Sequence, residues 1–413
     1  MNERIPGGLR VLMFVLFLAR FAGAGLVAVV AFHTYQITGR ELDLGLIGLA
    51  QFLPVFFLSP FTGALADQFD RRKVFAVGLG FEMTVSLGMA WLSFRGLSSA
   101  TPIFILMAVF GISRALEAPA SRSLPIDLSP AHMVNRVVAL KSSSSLVGTI
   151  LGPLIGAFLF SRAEYLPYIF MSVISLSALL ALAKVPRSPV VAMRRAAKAI
   201  DNLKQAFDGL RFIKQSRLVR AVITLDLFAV LLGGAVALLP AIAEQRLGVG
   251  AVGYGWLRAA IGIGAFVTSS ALVVRPMRRH AGRKMLVAVA LFGVMTIVLG
   301  VTTNFAVAFV ALAVMAGADA ISVLVRSALV PLATPPEMRG RVLAVENVFI
   351  GGSNELGAVE SGLVGEWLGA SLAVITGGIG TLLVVAVWWK AFPSLRRVDR
   401  IEDVRPVQPV SDS

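Results

Sequence analysis

Long apolar stretches follow one another along almost the whole chain, with only short polar gaps between them. A helix needs about 20 apolar residues to cross a membrane, and twelve stretches reach or approach that length. They do not alternate strictly between polar and apolar positions, as the strands of a membrane β-barrel do. Since lipid offers no partner for free backbone groups, the pattern predicts helices. The predicted spans cover residues 9–37, 44–66, 74–95, 102–124, 136–160, 164–185, 219–243, 252–273, 284–303, 305–329, 341–366 and 369–391.

Composition agrees with an all-α polytopic membrane protein. Hydrophobic residues make up 57% of the 413 residues and charged residues 15%, whereas soluble domains are about half apolar and a quarter charged. Arg4 and Arg10 precede the first stretch, which has no small-residue cleavage site and is followed by eleven others. We therefore expect it to be the first span, and not a signal peptide that is removed.

The distribution of basic residues predicts the orientation. The net charge is +15, and the bases concentrate in the gaps after spans 2, 4, 6, 8 and 10 and in the C-terminal tail. Cytoplasmic loops are enriched in Lys and Arg, so both termini are expected on the cytoplasmic side of a bacterial cytoplasmic (inner) membrane. The same rule explains the net positive charge, so no nucleic-acid partner is predicted.

Two halves of the chain resemble each other. PAHMVNRVVAL (130–140) is similar to PPEMRGRVLAV (335–345), and RRKVF (71–75) is similar to GRKML (282–286). This indicates two six-span pseudo-repeats. The predicted domains are an N-terminal six-helix bundle (1–186), a cytoplasmic linker with an amphipathic helix (187–218), a C-terminal six-helix bundle (219–392) and a cytoplasmic polar tail (393–413).

A charged cluster interrupts the apolar sequence between spans 2 and 3, in GALADQFDRRK (63–73). Its candidate residues are Gly63, Asp67, Asp70, Arg71, Arg72 and Lys73. Gly63 is expected to allow two helices to approach closely, and Asp67 to lie at the positive end of span 11. Arg71 is expected to pair with an acid of another span. These contacts would form a latch between the halves; the alternative is an ordinary basic cytoplasmic loop.

GALADQFDRRK resembles the loop signature between spans 2 and 3 of the major facilitator superfamily. Asp70 stands where the family usually has glycine, and an acid there is also seen in the branch that contains enterobactin and macrolide exporters. The resemblance covers essentially the whole chain. It implies twelve helices in two six-helix bundles around a central cavity, alternating access of that cavity and no cofactor.

Span 5 contains small residues four positions apart, at Gly148, Gly152 and Gly156, with Pro153 between them. Such residues make a smooth face for close packing, and the proline bends the helix. The pattern resembles the antiporter signature of facilitator exporters, which implies export. A proton-coupled importer of a small metabolite is the alternative.

Ionisable side chains at membrane depth are costly and mark candidate functional sites. The candidates for proton coupling and the substrate cavity are Arg20, Arg114, Glu117, Asp226, Asp319 and Glu355. Asp226 and Asp319 occupy positions that match arginines in the first half. We expect both to alternate between protonation and pairing with arginine or a cationic substrate; static ion pairs are the alternative. Glu82 is expected to face an edge of the bundle.

Other chemistry is disfavoured. The chain has no cysteine, three scattered histidines and no H-E-x-x-H, G-x-S-x-G or phosphate-binding loop, so no enzyme, metal site or ATP-driven pump is predicted. The predicted function is export of a small amphipathic organic molecule, siderophore or drug-like, by a proton antiporter that is monomeric in the bilayer. A flippase of lipid or lysophospholipid is the further alternative.

Overall fold

The computed structural model describes residues 5–187 and 199–406, without the side chains of residues 60, 64, 66, 67 and 199–206. Every long element in these ranges is a helix. The helices are α1 (Gly7–Thr38), α2 (Glu41–Gln68), α3 (Arg71–Phe94), α4 (Thr101–Asp127), α5 (Val134–Phe160), α6 (Leu166–Leu182), α7 (Ala199–Gln215), α8 (Arg217–Leu232), α9 (Leu239–Ala241), α10 (Gly250–Val274), α11 (Ala281–Val301), α12 (Phe305–Ala333), α13 (Arg339–Leu368), α14 (Ala370–Ala391) and α15 (Pro393–Arg396).

The predicted spans coincide with helices. Within the described ranges, nine helices are long and apolar enough to cross a membrane, and α6 is a shorter apolar helix. The 30-residue α13 matches the eleventh predicted span but carries several glutamates. Helix α8 and the segment Leu239–Arg246 together occupy the seventh. The fold class, an all-α polytopic membrane protein, is confirmed.

The seventh span differs most from the prediction. The expectation of a continuous helix over 219–243 is wrong. Helix α8 ends at Leu232, and a turn leads into α9 and a π-helical turn at Ile242–Arg246. A Cβ atom on Gly234 would lie 2.5 Å from the carbonyl oxygen of Gly357 and from Ser361 Oγ. Helix α13 therefore packs directly against the backbone at Gly234. The adjacent glycines, Gly233 and Gly234, also disfavour continuation of α8 as a helix.

The chain divides into two compact units. The first contains residues 1–39, 46–199 and 249–259. In it α1 packs mainly against α5 and α6, and α3 packs against α4 and α6. Its core is formed by side chains such as Leu12, Leu79 and Leu124, which are fully buried. The short piece of α10 in this unit contributes Tyr254, whose hydroxyl donates to the Ala28 carbonyl over 3.1 Å.

The second unit contains residues 40–45, 200–248 and 260–413. Helix α11 packs against α12 and α14, and α8 packs against α13 and α14. Helix α7, in the predicted linker, belongs to this unit: Asp208 pairs with Arg341 at 3.0 Å. A Cβ atom on Gly209 would lie 2.7 Å from the Arg341 carbonyl oxygen, so α7 lies directly on the first turn of α13.

The described part of the predicted polar tail folds back onto the second unit. Leu395 is fully buried. The amides of Ala281 and Gly282 donate to the carbonyls of Asp399 and Val398 over 3.0 and 3.1 Å. The Asp399 carboxylate accepts from the His280 amide over 2.8 Å. The tail thus satisfies backbone donors at the start of α11, which have no partner within that helix.

Candidate functional site

The second unit contains a buried cluster of three charges on three helices. Arg326 of α12 forms an ion pair with Asp226 of α8, and its Nε lies 3.4 Å from Oε1 of Glu346 on α13. All three side chains are 7% exposed. Buried charges are tolerated only when they are paired. One arginine here faces two carboxylates, so the cluster is electrically neutral only when it also holds a proton or another cation.

A small pocket adjoins this cluster. It is lined by Asp226, Asp319 and Ser322 together with Ala229, Val230, Val289 and Phe292. The hydroxyl oxygen of Ser322 is buried and has no hydrogen-bond partner among the described residues. Two carboxylates and an unsatisfied hydroxyl therefore meet in an otherwise apolar pocket, where they are able to bind a proton, water or a cationic group.

Asp226 and Asp319 had been predicted from the sequence, but Arg326 and Glu346 had not. Both of these residues lie within predicted spans 10 and 11, so the rule that marked the other intramembrane charges applied to them as well. Glu355 also lies on α13, half-buried, but it does not line this pocket.

The predicted charges of the first unit lie on α1 and α4. Arg20 donates to Thr149 Oγ1 over 2.9 Å, and Arg114 donates to Gln51 Oε1 over 3.1 Å. Glu117 lies one turn from Arg114 and contacts Ser113. The expectation that Glu82 faces an edge of the bundle is wrong, because Glu82 is 1% exposed and lies against Glu117. Each unit thus contains intramembrane charges of both signs.

The charged cluster between α2 and α3 makes several contacts within the first unit. Asp70 caps α3 by accepting from the Arg72 amide over 3.0 Å. Arg71 pairs with Asp127 at the end of α4, and Arg72 donates to the Val185 carbonyl. Burial raises the pKa of the Asp70 carboxyl, but the hydrogen bonds and charge of Arg72 outweigh it, so that the pKa lies below its usual value.

Other predicted contacts of this cluster differ or stay untested. No described atom lies within 4 Å of the position that a Cβ atom on Gly63 would occupy. Among the described residues, therefore, no helix approaches Gly63 closely, and its role in helix packing stays a prediction. Lys73 is exposed, and the side chain of Asp67 lies outside the described residues. The role of the cluster as a latch stays a prediction.

The small residues of span 5 lie at a close contact with α1. A Cβ atom on Gly148 would lie 3.0 Å from the Phe21 amide nitrogen, and one on Gly152 would lie 2.9 Å from the Gly25 amide nitrogen. Gly156 faces Val29 at a similarly short distance. Pro153 is buried within α5. Helix α5 thus packs on the backbone of α1 along this face, while its role in antiport remains a prediction.

Comparison with solved structures identifies the fold. The nucleoside transporter NupG superposes with a TM-score of 0.75 at 13% identity, over 95% of this chain and 100% of the transporter. A D-xylose–proton symporter superposes with a TM-score of 0.74 at 16% identity, over 94% of this chain and 98% of the symporter. The fold is that of major facilitator transporters.

Sequence comparison gives the family. The family described as transmembrane secretion effector matches residues 25–410, and the chain belongs to this family of the major facilitator superfamily. The MFS-type transporter YfiS of Bacillus subtilis is 25% identical over 87% of this chain and 86% of YfiS. The quinolone resistance protein NorA of Staphylococcus aureus is 28% identical over 41% of this chain and 42% of NorA.

These findings establish a multi-pass membrane protein that acts as a secondary transporter. They also confirm that the chain is not an enzyme, since its family and relatives are transporters.

Proposed function

We propose that this transporter exports a small amphipathic organic molecule, siderophore or drug-like, in exchange for protons. It works as a monomer in the bacterial cytoplasmic membrane with both termini in the cytoplasm. The observation that supports coupling is the second-unit cluster, where Arg326 faces Asp226 and Glu346 next to a pocket that also contains Asp319. Its carboxylates outnumber its arginine, so a proton and a cationic substrate are able to compete for the same negative charge.

Protonation and substrate binding exclude each other in this scheme. A proton that arrives from outside binds an aspartate carboxylate, removes its charge and weakens its attraction for the substrate, which leaves. Release of that proton to the cytoplasm restores the negative charge and allows the next substrate to bind. Arg326 holds Asp226 in the intervals, so that this buried carboxylate keeps a counter-charge.

The relatives support export. NorA is described as a quinolone resistance protein, and the glycine-rich face of α5 has the pattern of exporter antiport helices. A lipid or lysophospholipid flippase and a proton-coupled importer are the other functions that the same fold accommodates, and transport assays separate them.

The test uses everted membrane vesicles energised to an acidic interior. Siderophores, macrolides, a quinolone and cationic dyes are added while a pH-sensitive dye reports the gradient. A substrate that is exchanged for protons raises the interior pH. Asp226→Asn and Asp319→Asn are expected to abolish this rise, whereas the exposed control Asp403→Asn retains it.

Three outcomes contradict the proposal. Full activity of both variants at normal abundance in the membrane would show that the aspartates form static structural pairs. Lipid movement without any proton flux would identify a flippase, and substrate accumulation that follows inward proton movement would identify an importer.

A further inference from the structure

The first unit contains a pair of buried carboxyl groups that the proposed mechanism leaves unused. Glu82 of α3 is 1% exposed, and its carboxyl group is within hydrogen-bonding distance of the carboxyl group of Glu117 on α4. Ser175 of α6 donates to Glu82 Oε1 over 3.4 Å. The pair thus joins three helices at membrane depth.

The hydrogen bonds around the pair require a proton on it. Two ionised carboxylates have only acceptor atoms, so a hydrogen bond between them exists only when one carries a proton. The Ser113 hydroxyl oxygen lies 2.8 Å from the Gly78 carbonyl oxygen and 3.0 Å from Glu117 Oε1. The hydroxyl has a single hydrogen, which it is able to donate to only one of these partners. When it donates to the Gly78 carbonyl, its oxygen accepts a hydrogen bond from a protonated Glu117.

The packing provides room for the carboxyl groups. A Cβ atom on Gly78 would lie 2.6 Å from Glu117 Cγ, and one on Gly23 of α1 would lie 3.7 Å from Glu82 Oε1. Glycine at position 78 therefore leaves room for the Glu117 side chain where it lies.

The charges that face the pair come from α1 and α4. Arg20 of α1 acts on Glu82, and Arg114 of α4 acts on Glu117. Arg258 of α10 lies near Arg20, while α6 contributes only the neutral Ser175. A pair that holds one proton has one negative charge, which lies close to these positive charges. Loss of the proton would put two negative charges in contact in a low dielectric.

We infer that Glu82 and Glu117 form a second proton-binding site, which holds one proton between the two carboxyl groups and releases it when water reaches the pair during transport. Release breaks the hydrogen bond between the carboxyl groups, leaves two carboxylates facing the arginines and transfers the proton to water. The role of the site in transport rests on the proposed proton antiport, whereas the shared proton itself does not.

The shared proton is measured by infrared spectroscopy of the purified full-length protein in lipid, in H₂O and in D₂O. A protonated carboxyl gives a carbonyl band that shifts on deuteration. Glu82→Gln and Glu117→Gln are each expected to remove the same band, because the amide replaces the protonated member and the other member stays ionised. Glu402→Gln, at an exposed site, retains it.

A milder variant keeps the test independent of folding. Ser175→Ala removes a hydrogen bond to Glu82 and is expected to shift the band without abolishing it. Three results would overturn the inference: no deuteration-sensitive band that depends on either glutamate, separate bands lost in the two Gln variants, or a band that Ser175→Ala leaves unchanged.

The transport role is measured in proteoliposomes as the number of protons exchanged per substrate. Glu82→Gln is expected to lower this ratio by the proton that the pair carries, while Glu402→Gln leaves it unchanged. An unchanged ratio in Glu82→Gln would refute the transport role. Absence of proton flux in the unaltered protein would instead refute the antiport proposal, and the infrared result would still decide whether the proton is shared.

Discussion

Arg326 is the residue on which the buried charges of the second unit depend, because it faces Asp226 and Glu346 together. Arg326→Met preserves much of the side-chain volume but leaves two buried carboxylates without a counter-charge. Breaking a buried pair from one side costs about 3–5 kcal/mol. We therefore expect a clear fall in the melting temperature of the purified protein in lipid-containing detergent.

Compensating changes distinguish charge from packing in this cluster. The triple variant Arg326→Met, Asp226→Asn, Glu346→Gln removes all three charges of the cluster and is expected to recover most of the lost stability. Arg283→Met at an exposed position is the matched control and is expected to have little effect. Equal destabilisation by the single and triple variants would indicate that shape, and not charge, is what Arg326 supplies.

Gly152 is the residue that sets the approach of α5 to α1. A Cβ atom there would overlap the backbone of α1 around Phe21 and Gly25, so Gly152→Ala is expected to force the helices apart and lower the melting temperature. In Gly80→Ala, by contrast, the new methyl group meets open space. Alanine favours a helix over glycine by about 1 kcal/mol, so this control is expected to be neutral or stabilising. Similar losses in both variants would contradict the contact.

At the scale of elements, the C-terminal segment acts as a cap for α11. The amide of His280 and the guanidinium of Arg279 hold the pKa of the Asp399 carboxyl below its ordinary value of 3.8. The stabilisation from a lowered pKa is present above the ordinary value and is lost as the pH falls through the lowered one. Hydrogen exchange of the amides at 280–282 is therefore expected to accelerate below about pH 4, relative to the same peptide in Asp399→Asn.

Asp399→Ala removes the acceptor as well as the charge and is expected to accelerate exchange at those amides at neutral pH. Asp399→Asn keeps an acceptor oxygen and is expected to fall between the alanine variant and the unaltered protein. Glu402→Gln, three residues further along the same segment, serves as the control. Unchanged exchange in Asp399→Ala would show that the tail is not held by this residue.

The break after α8 and the cap on α11 show where the sequence pattern stops being informative. The break after Leu232 had a local signal, the pair Gly233 and Gly234, but an apolar stretch on either side made a continuous helix the simpler expectation. The cap on α11 had no local signal at all. Its acceptor, Asp399, lies more than a hundred residues from His280, and only the folded chain brings them together.

For the whole molecule, hydrophobic spacing was sufficient to predict the fold class and the spans other than the seventh, because lipid admits so few alternatives. Charges at membrane depth were also identifiable, since each one is costly. The partners of these charges were not identifiable, because pairing depends on which sides of the helices pack together. The match of Asp226 to an arginine of the first half suggested one counter-charge, whereas the structure pairs Asp226 with Arg326.

The predicted orientation of the whole chain is testable because the protein has no cysteine, so single cysteines are introduced into a clean background. Ser98→Cys lies between α3 and α4 and Arg278→Cys between α10 and α11, both at exposed positions. If basic loops remain in the cytoplasm, a membrane-impermeant maleimide added to intact cells labels Ser98→Cys. It labels Arg278→Cys only after the cells are permeabilised. The reverse pattern would place both termini outside, and the proton and substrate movements proposed above would then run in the opposite direction.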